Sequence, residues 1–188
     1  MATDVSGPTF VRAQRYIASR VTAALERVEP AQVARAVEIL SKAPQTFVYG
    51  AGRSGIVGRA FAMRLVQIGL RAFVIGESVT PIVQRGDAVI ILSGQGESST
   101  SVQTANIVRR EGAVLIVVTG RATSKLAHTA SLLIALEFPE EPERTRLAPL
   151  GTLFESASLR FTDALIAELA AARGEDEESM RRRHAIIV

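Results

Sequence analysis

Two short segments bring together the residue types that can hold an anion. Gly50-Ala51-Gly52-Arg53-Ser54-Gly55 follows the apolar run Phe47-Val48-Tyr49, and Ser93-Gly94-Gln95-Gly96-Glu97-Ser98 follows Val89-Ile90-Ile91-Leu92. Each runs on into a helical pattern. A strand that ends in such a turn presents free backbone N–H groups and a helix N-terminus, where negative charge is favoured. Neither segment carries the lysine of a Walker loop. Side-chain hydroxyls on both suggest a small phosphorylated metabolite held from two sides. Ser54, Ser93 and Ser98 are the expected phosphate donors, helped by Gln95 and the backbone from Gly94 through Gly96 to Glu97. Arg53 can add a charge-assisted bond to phosphate or sugar, or can form a surface ion pair.

Glu155 is the carboxylate best placed to act as a base. It stands near the start of a long helical pattern, just after the irregular stretch 148–152. Acids also occur in first turns simply because the helix dipole favours them there, and the residue alone leaves both readings open. His184 follows Arg181-Arg182-Arg183 near the C-terminus, where a solvated surface residue is the ordinary expectation. Imidazole is nevertheless suited to shuttling protons near neutral pH. Thr80 is expected to line the sugar end. His128, Glu97 and Glu77 receive no catalytic role.

Composition narrows the chemistry further. The 188 residues contain no cysteine and two histidines, so thiolate and histidine-rich metal centres are not expected, and no cofactor is. A net charge of +3 and 5% aromatic residues give no basis for nucleic-acid binding. No apolar run reaches membrane-spanning length, and the first eight residues lack a secretory pattern, so the expectation is a cytoplasmic protein that binds neither membrane nor nucleic acid.

The elements that must position these residues alternate. Helical spacing joins Ile17, Val21, Leu25 and Val28, and again Val33, Val37 and Leu40 after Pro30. Strands are expected at 46–49, 72–75, 88–92, 113–118 and 132–136. Helices are expected at 54–68 and 100–110, with a short one near 124–129. A last long helix at 153–172 has Phe154, Leu159, Phe161, Leu165, Ile166 and Leu169 on its apolar face. The strands are continuous apolar runs, as in parallel sheets covered on both sides. This predicts an α/β fold: a three-layer αβα sandwich with a five-stranded parallel sheet and ligand sites at the strands' carboxyl ends. The expected organisation is a single domain over 1–188, with N-terminal helices to 45, a doubly wound core at 46–172 and a tail at 173–188. Residues 137–147 read as an exposed loop and 174–178 as a turn or linker.

The first segment also satisfies G-x-G-x-x-G, with Glu77 roughly 20 residues on, which is the dinucleotide fingerprint. That reading leaves the second segment without a role and leaves little chain for a substrate region.

Taken together with Gly58-Arg59-Ala60-Phe61-Ala62-Met63-Arg64-Leu65, Gly76-Glu77-x-x-Thr80-Pro81, Pro149-Leu150-Gly151-Thr152-Leu153-Phe154-Glu155 and Arg183-His184-Ala185, the two segments resemble the sugar isomerase (SIS) domain. More narrowly they resemble the 6-phospho-3-hexuloisomerase family. The resemblance implies a flavodoxin-like sheet and a phosphorylated hexulose as substrate. It also implies interconversion of 3-hexulose 6-phosphate and fructose 6-phosphate through an enediol. Glu155 matches the family's base. The resemblance further implies that the tail bearing His184 packs over an active site, a neighbour's, and that the protein is a homo-oligomer, a dimer or a tetramer built from dimers. Gln95 departs from the serine frequent at that point of the second loop. A non-catalytic phosphosugar-binding regulator and an isomerase of another phosphosugar are the alternatives.

Overall fold

Alternation of side chains along a strand sends odd and even residues to opposite faces, and this chain fills both faces with apolar groups. In a computed structural model, which describes residues 7–186, the strands are β1 (Thr46–Gly50), β2 (Ala72–Val74), β3 (Ala88–Ser93), β4 (Val114–Thr119) and β5 (Leu132–Ala135). They form one parallel sheet in the order β2-β1-β3-β4-β5. Every residue of β3, the central strand, is buried. The α/β sandwich expected from the sequence is the one observed.

The two covering layers are unequal. Val48, Ile90, Leu92, Ile116, Val118 and Ile134 meet α1 (Thr9–Leu25), α2 (Pro30–Lys42), α3 (Gly52–Gln67) and α6 (Thr152–Arg173). Phe47, Val89, Ile91, Leu115 and Val117 meet α4 (Ser99–Arg110) and Leu126 beside a 3₁₀ turn at Ala127–Thr129, and the Phe47 ring also stacks on Phe73 of β2. Helix α2 starts where Pro30 supplies a helical φ and Glu29 N–H donates to Gln32 Oε1 at 3.0 Å. Helix α6 stops at Gly174, which adopts φ 66° as a left-handed cap.

Three expectations need correction. Leu159 does not belong to the buried face of α6; it is 40% exposed. Residues 137–147 are not simply an exposed loop. They contain α5 (Arg144–Leu147), bury Leu147 and pack Phe138 on the core. Glu141 ties this strap to α1, accepting from Tyr16 Oη at 2.8 Å and Arg20 Nε at 2.7 Å. The Arg20 hydrogen bond holds the Glu141 carboxyl below its ordinary pKa, whereas burial first, then Glu141, raises the Tyr16 phenol. Finally, 174–178 is not all linker, because α7 (Glu177–Arg182) begins inside it. Asp176 caps that helix, its Oδ1 accepting Ser179 N–H at 2.7 Å while its own N–H donates to Ser179 Oγ at 3.1 Å.

Candidate active site

The strand order reverses between β1 and β3, and ligands of doubly wound sheets bind at such a reversal. Gly50 pairs in register with Leu92, so the two anion-type loops leave the sheet from adjacent positions on neighbouring strands. Their backbones then do different things.

In the first loop the opening turn of α3 presses onto the end of β1. A Cβ on Gly55 would stand 2.5 Å from Gly50 O, and one on Gly50 would stand 2.8 Å from Gly55 N. Packing alone therefore requires glycine at both positions. What remains for chemistry is Ser54, which faces the cleft, and Arg53.

The second loop is braced from the β4 side. Gly94 O accepts Gly120 N–H at 3.0 Å and Gly96 O accepts Leu126 N–H at 3.0 Å. Gly96 takes φ 65°, and a Cβ there would fall 2.1 Å from Ser124 Oγ. Ser93 Oγ accepts Gly96 N–H at 3.3 Å, closing the turn from within. Ser98 precedes α4 without capping it; its hydroxyl lies 2.9 Å from Thr100 Oγ1 instead. Serines that merely cap a helix would accept from its first N–H groups. Here the N-terminus of α4 carries no side-chain cap and can receive an anion. Gln95 is exposed on the cleft wall. The Glu97 side chain is spent on Lys125, accepting its backbone N–H at 3.1 Å and pairing with Nζ at 3.2 Å. The first of these contacts, then the second, lowers the Glu97 pKa.

Glu155 enters from the third side. Its N–H closes the first turn of α6 onto Gly151 O at 2.9 Å. The turn before it places Leu150 at φ 56°, a left-handed conformation costly for leucine, with the side chain 90% exposed. The Glu155 side chain is only 13% exposed, and its Oε2 lies 3.0 Å from Arg53 Nε. This is an ionic contact without hydrogen-bond alignment, so the buried Oε2 has no directed donor. The neighbouring Phe154 ring lies where a Cβ on Gly94 would come within 3.2 Å, keying the helix of Glu155 to the second loop. Ser54, Gly94, Gln95, Gly151, Phe154 and Glu155 line one open cleft of about 1160 Å³. A carboxylate held beside an anion-binding loop can move protons on the carbon chain of a phosphorylated ligand.

Arg53, Ser93, Gly96, Glu97 and Ser98 stand beside the cleft without being among the residues that line it, and two expected residues lie elsewhere altogether. Thr80 donates to Val74 O at 2.6 Å, closing the turn after β2, and does not line the cleft. His184 is exposed beyond α7, its Nδ1 2.9 Å from Ala185 O. The tail is fastened to the opposite end of α3, with Arg183 Nη1 donating to Gln67 O at 3.1 Å and to Glu175 Oε2 at 2.7 Å. Arg183 first, then Ser179, takes the Glu175 pKa down to about 2. From Glu155 to the C-terminal end of α6 the helix rises about 27 Å, so His184 and Glu155 of one chain sit at opposite edges of the sheet.

Arg27, Arg121, Phe138 and Arg144 also line the cleft, and sequence reasoning gave them no role. For Arg121 a signal existed: Thr119-Gly120-Arg121 ends β4 with the same glycine punctuation as the other two strands. Glu77, the acid of the dinucleotide alternative, is paired with Arg59 at 2.8 Å on the surface. Among the described residues no group of three or more His, Asp or Glu gathers as metal ligands, and no helix is long and apolar enough to cross a membrane.

Comparison with known proteins shows what the whole chain is similar to. Residues 39–171 match the SIS domain family. A 3-hexulose-6-phosphate isomerase of Methylomonas aminofaciens is 35% identical over 92% of this chain and 96% of that protein. A 3-hexulose-6-phosphate isomerase of Bacillus subtilis is 37% identical over 75% and 78% of the two chains. A crystal structure from Methanococcus jannaschii, for which a 3-hexulose-6-phosphate isomerase function was inferred, superposes with a TM-score of 0.83 at 27% identity, covering 92% of this chain and 97% of that one.

Proposed function

The chain belongs to the SIS domain family, and from that premise we propose that it is an isomerase interconverting 3-hexulose 6-phosphate and fructose 6-phosphate. One observation carries the reading: Glu155, a largely buried carboxylate, opens onto the same cleft as the second loop. The phosphate sits on Ser93–Ser98 and the N-terminus of α4, with Ser54 closing from the first loop. Arg53 and Gln95 reach the ligand from either side.

Glu155 then takes the C2 hydrogen of the 3-ketose as a proton. The C–H electron pair forms the C2=C3 bond while the C3 oxygen gains a proton, giving the enediol. Loss of the O2 proton makes the C2 carbonyl, and Glu155 returns its proton to C3. Atoms and charge balance without an outside oxidant or reductant. The two oxygens must exchange a proton, and imidazole suits that step. Since His184 lies at the far edge from Glu155 of its own chain, it serves a site only across a subunit boundary. The protein accordingly works as a cytoplasmic homo-oligomer, a dimer or tetramer. Its place is in formaldehyde fixation by the ribulose monophosphate route, or in pentose supply when reversed.

A coupled assay that detects fructose 6-phosphate formed from the 3-hexulose isomer tests the reading. Steady formation without added cofactor is expected. Tight binding of fructose 6-phosphate with no turnover in either direction would make the protein a phosphosugar sensor instead.

A further inference from the structure

Three arginines line the cleft and a fourth, Arg53, reaches its Glu155; all but one are already engaged. Arg53 lies on Glu155, Arg144 pairs with Glu140 at 2.8 Å, and the Arg27 guanidinium donates to the Glu137 carbonyl. Arg121 differs. Its exposed side chain lines the cleft, and among the described residues it has no ion-pair partner. It acts on Glu97 only at longer range, and that carboxylate is held by Lys125.

The backbone that carries Arg121 is fastened on every side. Arg121 N–H donates to Thr119 Oγ1 at 3.3 Å, and Ala122 N–H donates to Glu137 Oε1 at 2.9 Å. Gly120, just before it, is hydrogen-bonded to Gly94 of the second loop. A guanidinium without a partner thus stands on a rigid turn that abuts the loop's own donors.

Charge accounting points the same way. A phosphate monoester carries about −1.5 to −2 near pH 7. The N-terminus of α4 offers the equivalent of about +0.5, and hydroxyls and amides add no net charge. Arg53 and Arg144 are each balanced by a glutamate. Arg27 keeps its charge, since a carbonyl does not neutralise it, but it is already held on Glu137; Arg121 is the cleft arginine that gives up neither a carboxylate nor a hydrogen bond to reach the dianion.

We infer that Arg121 is the cationic clamp of the phosphate site, its guanidinium closing over a monoester seated on the second loop. The inference rests on the proposed use of that loop for phosphate and adds the residue that neutralises it. Charge-assisted bonds from a planar fork suit phosphate oxygens, and lysine keeps the charge while losing the fork.

Inorganic phosphate is the probe, titrated calorimetrically into the wild type, Arg121→Met and Arg121→Lys, with thermal unfolding to confirm that each variant folds. The Met variant should bind phosphate about tenfold more weakly or worse, the size expected for a lost charged hydrogen bond, and the Lys variant should recover part of that loss. With 3-hexulose 6-phosphate, KM should rise in parallel while kcat stays within about threefold, because the clamp holds ground state and transition state alike. Phosphate affinity unchanged within about twofold in the Met variant overturns the clamp. A higher KM with normal phosphate binding also overturns it, since the guanidinium would then touch the sugar. A wild type that binds phosphate through Arg121 but fails to turn over the hexulose contradicts the isomerase reading and upholds the clamp. A wild type that binds no phosphate removes both.

Discussion

The first and second loops share glycines, serines and a place at the end of a buried strand, yet they use them differently. In the first loop Gly50 and Gly55 are consumed by contact between α3 and β1, and Arg53 is turned towards Glu155. In the second loop the turn is held open by bonds to the β4 side, and α4 begins without a side-chain cap. Similar composition thus supports two tasks. On the proposed reading, one loop is a close-packed bracket beside Glu155, and the other is a receptor for the ligand's charge. A glycine fingerprint alone does not distinguish them, because steric demand and anion binding select the same residue.

The contrast can be broken by substitutions, and the largest effect belongs to the group both loops serve. Glu155→Gln removes the base while keeping shape, and kcat should fall on the order of 10²-fold or more, with KM little changed. Turnover close to that of the wild type would take the base away from Glu155. Gly55→Ala comes next, and it should act on folding. The new methyl would meet the Gly50 carbonyl, and overpacking of this kind costs about 1–3 kcal/mol. That corresponds to a Tm lower by roughly 2–10 °C for a chain of this size, measured by calorimetry. An unchanged Tm would mean that the first loop is not a packed bracket. Ser93→Ala should have the smallest effect, raising KM a few-fold, about the worth of one hydrogen bond, while kcat holds. A kcat loss with constant KM would move Ser93 from the receptor to the chemistry.

Much of this architecture is legible in the residues. Strands such as Val89-Ile90-Ile91-Leu92 are apolar on both faces, and only a sheet covered twice makes use of that. Glu155 was legible as an acid in a first turn after an irregular stretch. Features that depend on pairing across long separations were not. Glu141 and Arg20 look like surface charges until the fold brings them together and turns an apparent loop into a strap. The cap Asp176 is hidden in an acidic run. Leu159 fits the apolar period of α6 but falls outside the part that meets the sheet layer. Arg121 shows no signal of its own beyond the glycine before it, since a guanidinium without a partner is defined by its surroundings.

The central claim is that Glu155 moves a proton on the carbons of a phosphosugar held by the second loop. Fructose 6-phosphate incubated with the protein in D₂O, followed by proton NMR at C3, tests it most directly. The account predicts that the C3 hydrogen is replaced by deuterium with the wild type and is retained with Glu155→Gln. Equal exchange by the wild type and Glu155→Gln would contradict it.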